Sequence, residues 1–351
     1  MDRLYTIQYL RALAALAVVS LHSGNRVESV LPAGVSAALS VGHAGVDLFF
    51  VISGFIMWSI GKSASYGPAE FLLRRTIRVV PLYWIATLAW TVLVSAAGYN
   101  WIAVQLDHVL LSLAFVPHYS PTFEHRIWPI LVPGWTLTYE MFFYFVFAAT
   151  LVAKAGSRLI VLTAALAGLV ALGVAVVPIQ AWAITLTSPL LLEFLGGCLV
   201  AELWMRQPGG FIRNLTSGLA GIALLVAFGT KVDAADMWSR TLGFGLPAML
   251  IVSAAAGLGR HVPRVTALER LGDASYSIYL FHMFIVTLMF EAWRLLPELH
   301  TPINAIVFVV IALVLASWAG LQVFKWVELP SQKWLAWQCL IRPRGLDVAD
   351  R

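Results

Sequence analysis

Ten apolar segments divide the chain, at about 5–23, 39–60, 79–97, 134–153, 158–177, 179–204, 213–229, 238–257, 273–292 and 303–327. Each is close to the roughly 20 residues that a helix needs to cross the hydrocarbon of a bilayer. The pattern predicts an all-α integral membrane protein of about ten transmembrane helices in a single bundle with a central cavity. Residues 1–340 read as one polytopic membrane domain and 341–351 as a polar cytoplasmic tail. Arg11 interrupts the first run and no small-residue cleavage site follows it, so that run reads as a retained span rather than a signal peptide. The longest connection, 98–133, carries Trp101, His108, Pro117, His118, Pro121, Trp128, Pro129 and Pro133. Its apolar part, 102–117, is too short to cross comfortably and suits a lid or re-entrant segment at the outer face.

The polar residues that break these runs carry the candidate chemistry. In the first span Arg11 and His22 are eleven residues apart. At about 100° per residue that is three turns plus about 20°, so both fall on one stripe, roughly 16 Å apart along the axis. Ionisable groups inside a span usually face a protein interior or a water-filled cavity. The plainer reading has Arg11 snorkelling to the headgroups and His22 marking the far interface. The second span, GHAGVDLFFVISGFIM, holds Asp47 and Ser53 among small residues that let helices approach closely. In FLLRRTIRVVPLYW, Arg74 or Arg75 shares a helix face with Arg78, a fork suited to phosphate, or equally an anchor to anionic lipid. The fourth span opens PGWTLTYEMFFYF and buries Glu140, a carboxylate at a depth similar to that expected for His22 and Asp47. These three form the ingredients of a histidine base oriented by a carboxylate. In the ninth span Ser275, Tyr276, Tyr279 and His282 make a polar strip in which His282 reads as structural or substrate-positioning.

Composition narrows the class. With 60% hydrophobic and only 12% charged residues, the chain has too little polar surface for a soluble globule of 351 residues. The net charge of +5 needs no nucleic-acid partner, because cytoplasmic loops of membrane proteins collect Lys and Arg. An internal amino terminus places 18 of the 23 basic residues inside and leaves Arg26, Arg126, Lys231, Arg240 and Arg294 outside, which predicts both termini cytoplasmic. Cys198 and Cys339 are the only cysteines and sit in no metal-ligand spacing, so neither a disulfide framework nor a metal site is expected.

Taken together and in order, Arg11 with His22, GVDLFFVISGF, RRTIRVVPLYW, PGWTLTYE, GDASYSIYLFH and the closing VELP (Val327 to Pro330) resemble the membrane acyltransferase-3 family from about residue 4 to 335. Within it the chain looks most like the ExoZ-type exopolysaccharide acetyltransferases. The resemblance implies a multi-pass enzyme of the bacterial inner membrane that moves an acetyl group from cytoplasmic acetyl-CoA to a hydroxyl of an exported or surface glycan. It further implies acetyl-CoA as a co-substrate with no permanently bound cofactor and no metal. The expected roles are His22 as general base supported by Glu140 or Asp47, and Arg11, Arg74, Arg75 and Arg78 as donor-binding cations. Ser53, Trp135, Tyr139, Ser275, Tyr276, Tyr279 and His282 are expected around the acceptor or the cavity. Direct attack on the thioester and an acyl-histidine or acyl-serine intermediate both remain open, with Ser53 the first serine to examine. A solute or proton transporter would also bury such groups, but the two related halves common in carriers are not found. A lipid-linked-sugar glycosyltransferase would want paired carboxylates in a large outer loop, where 98–133 offers only Asp107 and Glu124.

Overall fold

The computed structural model describes residues 4–63, 67–98, 104–259 and 261–341. Arg3, Arg260, Arg342, Arg344 and Arg351, all assigned to the inner side by the charge pattern, lie outside the described residues, as do Trp101 and the tail from 342 onward. The described residues form helices and connecting turns with no strand. In chain order they are α1 (Tyr5–Arg26), α2 (Ala33–Ser40), α3 (Ala44–Ser63), α4 (Pro68–Ala96), α5 (Leu106–Leu113), α6 (Gly134–Thr150), α7 (Arg158–Val176), α8 (Ala181–Leu186) and α9 (Leu191–Arg206). Then come α10 (Phe211–Phe228), α11 (Met237–Arg240), α12 (Leu246–Leu258), α13 (Thr266–Asp273), α14 (Ser275–Arg294), α15 (Pro302–Val323) and α16 (Leu329–Ala336).

Eight of the ten expected spans fall on helices long and apolar enough to cross a membrane. The other two are α1, 22 residues diluted by Gln8, Arg11 and His22, and α6, which has only 17 residues. Polar residues lower the hydropathy of α1, whereas α6 is apolar but short. Two boundaries differ from expectation. The apolar pattern starts the third span at 79, but α4 starts at Pro68, where proline's fixed φ suits a first helical position. Arg74, Arg75 and Arg78, expected on a helix face at the mouth of that span, lie in the first half of α4. The same pattern ends the last span at 327, but the helix runs on through a π turn (Phe324–Glu328) into α16.

The core lies around α3, α4, α6 and α9, with Phe55, Phe71, Phe143, Phe147 and Phe194 almost wholly buried. The apolar stretches of α7 and α10 are only 17% and 11% buried, against 61% for the stretch Ala181–Arg206, so α7 and α10 turn most of their surface to lipid. Helices have no hydrophobic drive to associate inside a bilayer, and small residues supply the contact instead. Between α3 and α9 the close approach is reciprocal: a Cβ at Gly54 would overlap the Phe194 carbonyl, and one at Gly197 would overlap the Val51 carbonyl. In the described part of the segment expected as a lid, 104–117, the helix α5 has only eight residues and packs on α4, where Tyr83 Oη donates to the Ser112 carbonyl at 3.0 Å and Trp84 Nε1 to the Leu113 carbonyl at 2.9 Å.

The backbone-to-backbone seam predicts that Gly54→Val destabilises the protein by about 2 kcal/mol or more, since the obstacle is main chain that cannot swing away. Gly168→Val, at a position with open space around it, should leave stability close to wild type. Thermal unfolding in detergent measures both; equal midpoints for Gly54→Val and wild type would contradict the seam.

Candidate active site

A cavity of about 520 Å³ opens between α1, α3, α4, α6 and α14. Arg11, Arg75 and Arg78 line it, and all three lie within the first half of their helices. Arg11 donates to Gln8 Oε1 at 2.9 Å, and Arg78 sits 3.9 Å from Glu328. Arg75 lies 6.0 Å from the centre of the Phe71 ring, and its Nε is buried without a hydrogen-bond partner. A buried donor left unspent costs free energy until something accepts from it. On the α3 and α6 wall, Glu140 accepts from Ser53 Oγ at 3.1 Å and, by a short hydrogen bond, from Tyr144. Ser275, Tyr276 and Tyr279 face the cavity from α14, and the Ser275 hydroxyl is likewise buried without a partner. Cations, a carboxylate and one unspent hydroxyl thus meet in one space.

His22 is near the other end of α1, and its partner is another histidine. Nδ1 of His22 lies 2.7 Å from Nε2 of His282, with the rings stacked at 4.9 Å. His282 is fully buried, and its own Nδ1 lies 2.6 Å from the Tyr279 carbonyl. A carbonyl only accepts, so that Nδ1 carries the hydrogen and, in the neutral ring, Nε2 is the bare acceptor. His22 Nδ1 must then donate to it, which leaves the lone pair of His22 on Nε2. A backbone carbonyl thereby sets the tautomer of a ring two steps away. Tyr279 connects this pair to the cavity: its ring is 6.1 Å from His282 and 5.8 Å from Phe49, which also lines the cavity.

The expected carboxylate support for His22 is not formed, because among the described residues neither Asp47 nor Glu140 hydrogen-bonds to it. Asp47 is fully buried and receives two hydrogen bonds from Arg240, Nε to Oδ1 at 2.9 Å and Nη2 to Oδ2 at 2.8 Å. Arg240, assigned to the outer side by the charge pattern and given no role, is only 3% exposed and lies 5.3 Å from the centre of the Trp135 ring. Its place follows from α11 and a π turn (Thr241–Gly245) that carry it into the bundle. Arg74 also departs from expectation: it pairs with Glu70 at 2.6 Å one helical turn back and does not line the cavity. Trp135 and Tyr139 pack on Phe50, at 6.2 and 6.1 Å, and face a small recess beneath the outer loop instead. In that loop His108 pairs with His118 at 2.7 Å, and burial with the neighbouring ring pulls the His108 pKa down to about 4.

Among the described residues two fully buried carboxylates, Glu328 and Glu193, received no role from the sequence. Glu328, in the VELP motif, is fully buried and accepts from Ser277 Oγ at 2.6 Å and Gln332 Nε2 at 3.1 Å, besides facing Arg78. It ties α14, α16 and α4 together at the cationic part of the cavity; the motif was its signal. Glu193 is fully buried beside Gly245 with no donor to either oxygen, and an acidic residue inside an apolar run was the signal available.

Among the described residues a helical bundle long and apolar enough to span a membrane encloses a cavity lined by three arginines and a carboxylate, with a hydrogen-bonded histidine pair joined to it through Tyr279, an arrangement suited to a membrane-embedded group-transfer protein. Residues 4–321 match the acyltransferase domain of the acyltransferase-3 family, and the chain belongs to that family. It is a multi-pass membrane acyltransferase. The exopolysaccharide production protein ExoZ of Rhizobium meliloti (strain 1021) is 39% identical over 262 residues, which cover 72% of this chain and 79% of that protein. The acyltransferase MdmB of Streptomyces mycarofaciens is 27% identical over 321 residues, covering 81% of this chain and 79% of MdmB. No solved structure matches the chain.

The Asp47–Arg240 pair predicts a strong asymmetry between single and double replacements. Asp47→Asn or Arg240→Gln leaves one buried charge uncompensated and should cost about 3–5 kcal/mol. Asp47→Leu combined with Arg240→Met should recover much of that loss. Denaturation in detergent compares the three, and single variants as stable as wild type would exclude a structural ion pair.

Proposed function

We propose that this protein is an O-acetyltransferase of the bacterial inner membrane, taking acetyl from cytoplasmic acetyl-CoA and placing it on a hydroxyl of an exported or surface glycan. The observation that carries the reading is the histidine pair, whose hydrogen bonds leave the lone pair of His22 on Nε2; neither ring lines the cavity, but Tyr279, beside His282, does so together with Arg11, Arg75 and Arg78. The kinship with ExoZ, named for exopolysaccharide production, supports a glycan as acceptor.

In this mechanism the phosphates of the donor lie against Arg75 and Arg78, with Arg11 deeper along the same face of the cavity. Guanidinium suits this task because its planar fork pairs with phosphate oxygens bidentately. The pantetheine arm follows the cavity and presents the thioester towards His22. Nε2 takes the proton of the acceptor hydroxyl as its oxygen attacks the carbonyl carbon. The C–O bond forms, the C–S bond breaks, and the proton passes from His22 to the departing thiolate, giving acetyl ester and free CoA. When His22 becomes charged, its Nδ1–H donates more strongly to His282, which the Tyr279 carbonyl holds in place. Glu140, held by Ser53 and Tyr144, is an acceptor on the cavity wall that orients a sugar hydroxyl. Transfer is direct in this scheme, and both termini are cytoplasmic.

Purified protein in nanodiscs, given acetyl-CoA and the polysaccharide of its host, tests the reading by mass spectrometry of the glycan. His22→Ala should lower the rate by about 10² to 10⁴, the usual range for loss of a general base. Arg75→Gln should raise the KM for acetyl-CoA and change kcat less. Acetylation at the wild-type rate by His22→Ala would overturn the assignment of the base, and acetyl-CoA left unconsumed by the wild type would favour a transporter.

A further inference from the structure

A second recess, of about 250 Å³, lies away from the active-site cavity, where α3 ends, α7 begins and α9 ends. Three spans stop there together, so it lies at a headgroup level of the bilayer, at the same end of the bundle as the start of α4. Its walls carry three cations, Lys62, Arg158 and Arg206, and one carboxylate, Glu202. Glu202 is almost buried and accepts from Trp58 Nε1 at 2.8 Å, Lys62 Nζ at 2.7 Å and Arg206 Nε at 2.6 Å. Arg158 donates to the backbone carbonyls of Ala153 and Gly61.

A clamp between α3 and α9 accounts for the Glu202 contacts but leaves the charge unbalanced. Three cations around one carboxylate leave two positive charges facing a hollow. Arg206 spends only Nε on Glu202, so both of its terminal nitrogens remain, and Lys62 has used one donor of three. The side chains of Lys62 and Arg206 are 47% and 70% exposed, so these donors reach the mouth. Phe147, Leu151 and Leu159 form an apolar wall beside them. Charge on one side and hydrocarbon on the other match the phosphate and first methylenes of a lipid.

We propose that this recess binds the phosphate headgroup of an anionic phospholipid, with its acyl chains along the Phe147, Leu151 and Leu159 wall. Each juxtamembrane cation attracts an anionic lipid roughly fivefold, so removing two costs about thirtyfold in affinity. Glu202 competes with the lipid for both cations, and neutralising it strengthens binding.

Native mass spectrometry of the purified chain, titrated with phosphatidylglycerol and with phosphatidylcholine of the same chain length, tests this. The wild type should hold phosphatidylglycerol in preference to phosphatidylcholine, Lys62→Gln combined with Arg206→Gln should bind it about thirtyfold more weakly, and Glu202→Gln should bind it more tightly than wild type. Undiminished binding by the double variant, or weaker binding by Glu202→Gln, overturns the proposal. Displacement of the lipid by millimolar inorganic phosphate or coenzyme A also overturns it, since the recess would then serve a free phosphate ligand. The Glu202→Gln arm decides the matter even if the double variant fails to fold.

Discussion

A bilayer offers no water to a stranded charge, and among the described residues the buried carboxylates other than Glu193 all have donors. Asp47 is covered by both arms of Arg240, and Glu328 is covered by Ser277, Gln332 and Arg78. His22 and His282 need no counter-charge while both rings are neutral, and a carbonyl closes their chain of hydrogen bonds. Against this background the unspent groups are informative. Arg75 Nε and the Ser275 hydroxyl are buried without partners and belong to residues that line the same cavity.

Close packing makes the arrangement rigid. Gly54 and Gly197 bring α3 against α9 at backbone distance, and this fixes the wall that carries Ser53. Ser53 then meets Glu140 across to α6, while Tyr276 on α14 donates to the Val79 carbonyl on α4 at 2.7 Å. These cross-helix bonds hold open a space that lateral packing alone would close. The π turns act in the same direction: an extra residue in a turn rotates the rest of the helix about its axis, bringing Arg240 and Glu328 inward where an unbroken α-helix would carry them elsewhere.

The spans were legible because apolar length is a local property, and so was the polar character of α1, α3, α4, α6 and α14. Which polar residues touch was not legible. Periodicity gives the stripe on which Asp47 lies, but the rotation of α3 against its neighbours decides whether that stripe meets His22 or Arg240, 193 residues away. Arg240 read only as a cation on the outer side, at the start of the span 238–257, because no periodic signal announces a π turn. Arg74 and Arg75 are adjacent in sequence and about 100° apart on a helix, so only one of them could share the cavity with Arg78; Glu70, four residues back, claims Arg74. Glu328 was visible only as part of a family motif, and its role as the link among three helices depends on contacts that no local pattern encodes.

The central claim is the direction of the hydrogen bonds through the histidine pair. Nitrogen-15 NMR of the protein labelled at histidine, with signals assigned through His22→Gln and His282→Gln, observes it directly. The account predicts that both rings at neutral pH carry their proton on Nδ1 and that Nε2 of His22 is unprotonated. A proton on Nε2 of His22 would contradict it, because that nitrogen could not then accept one from the acceptor hydroxyl.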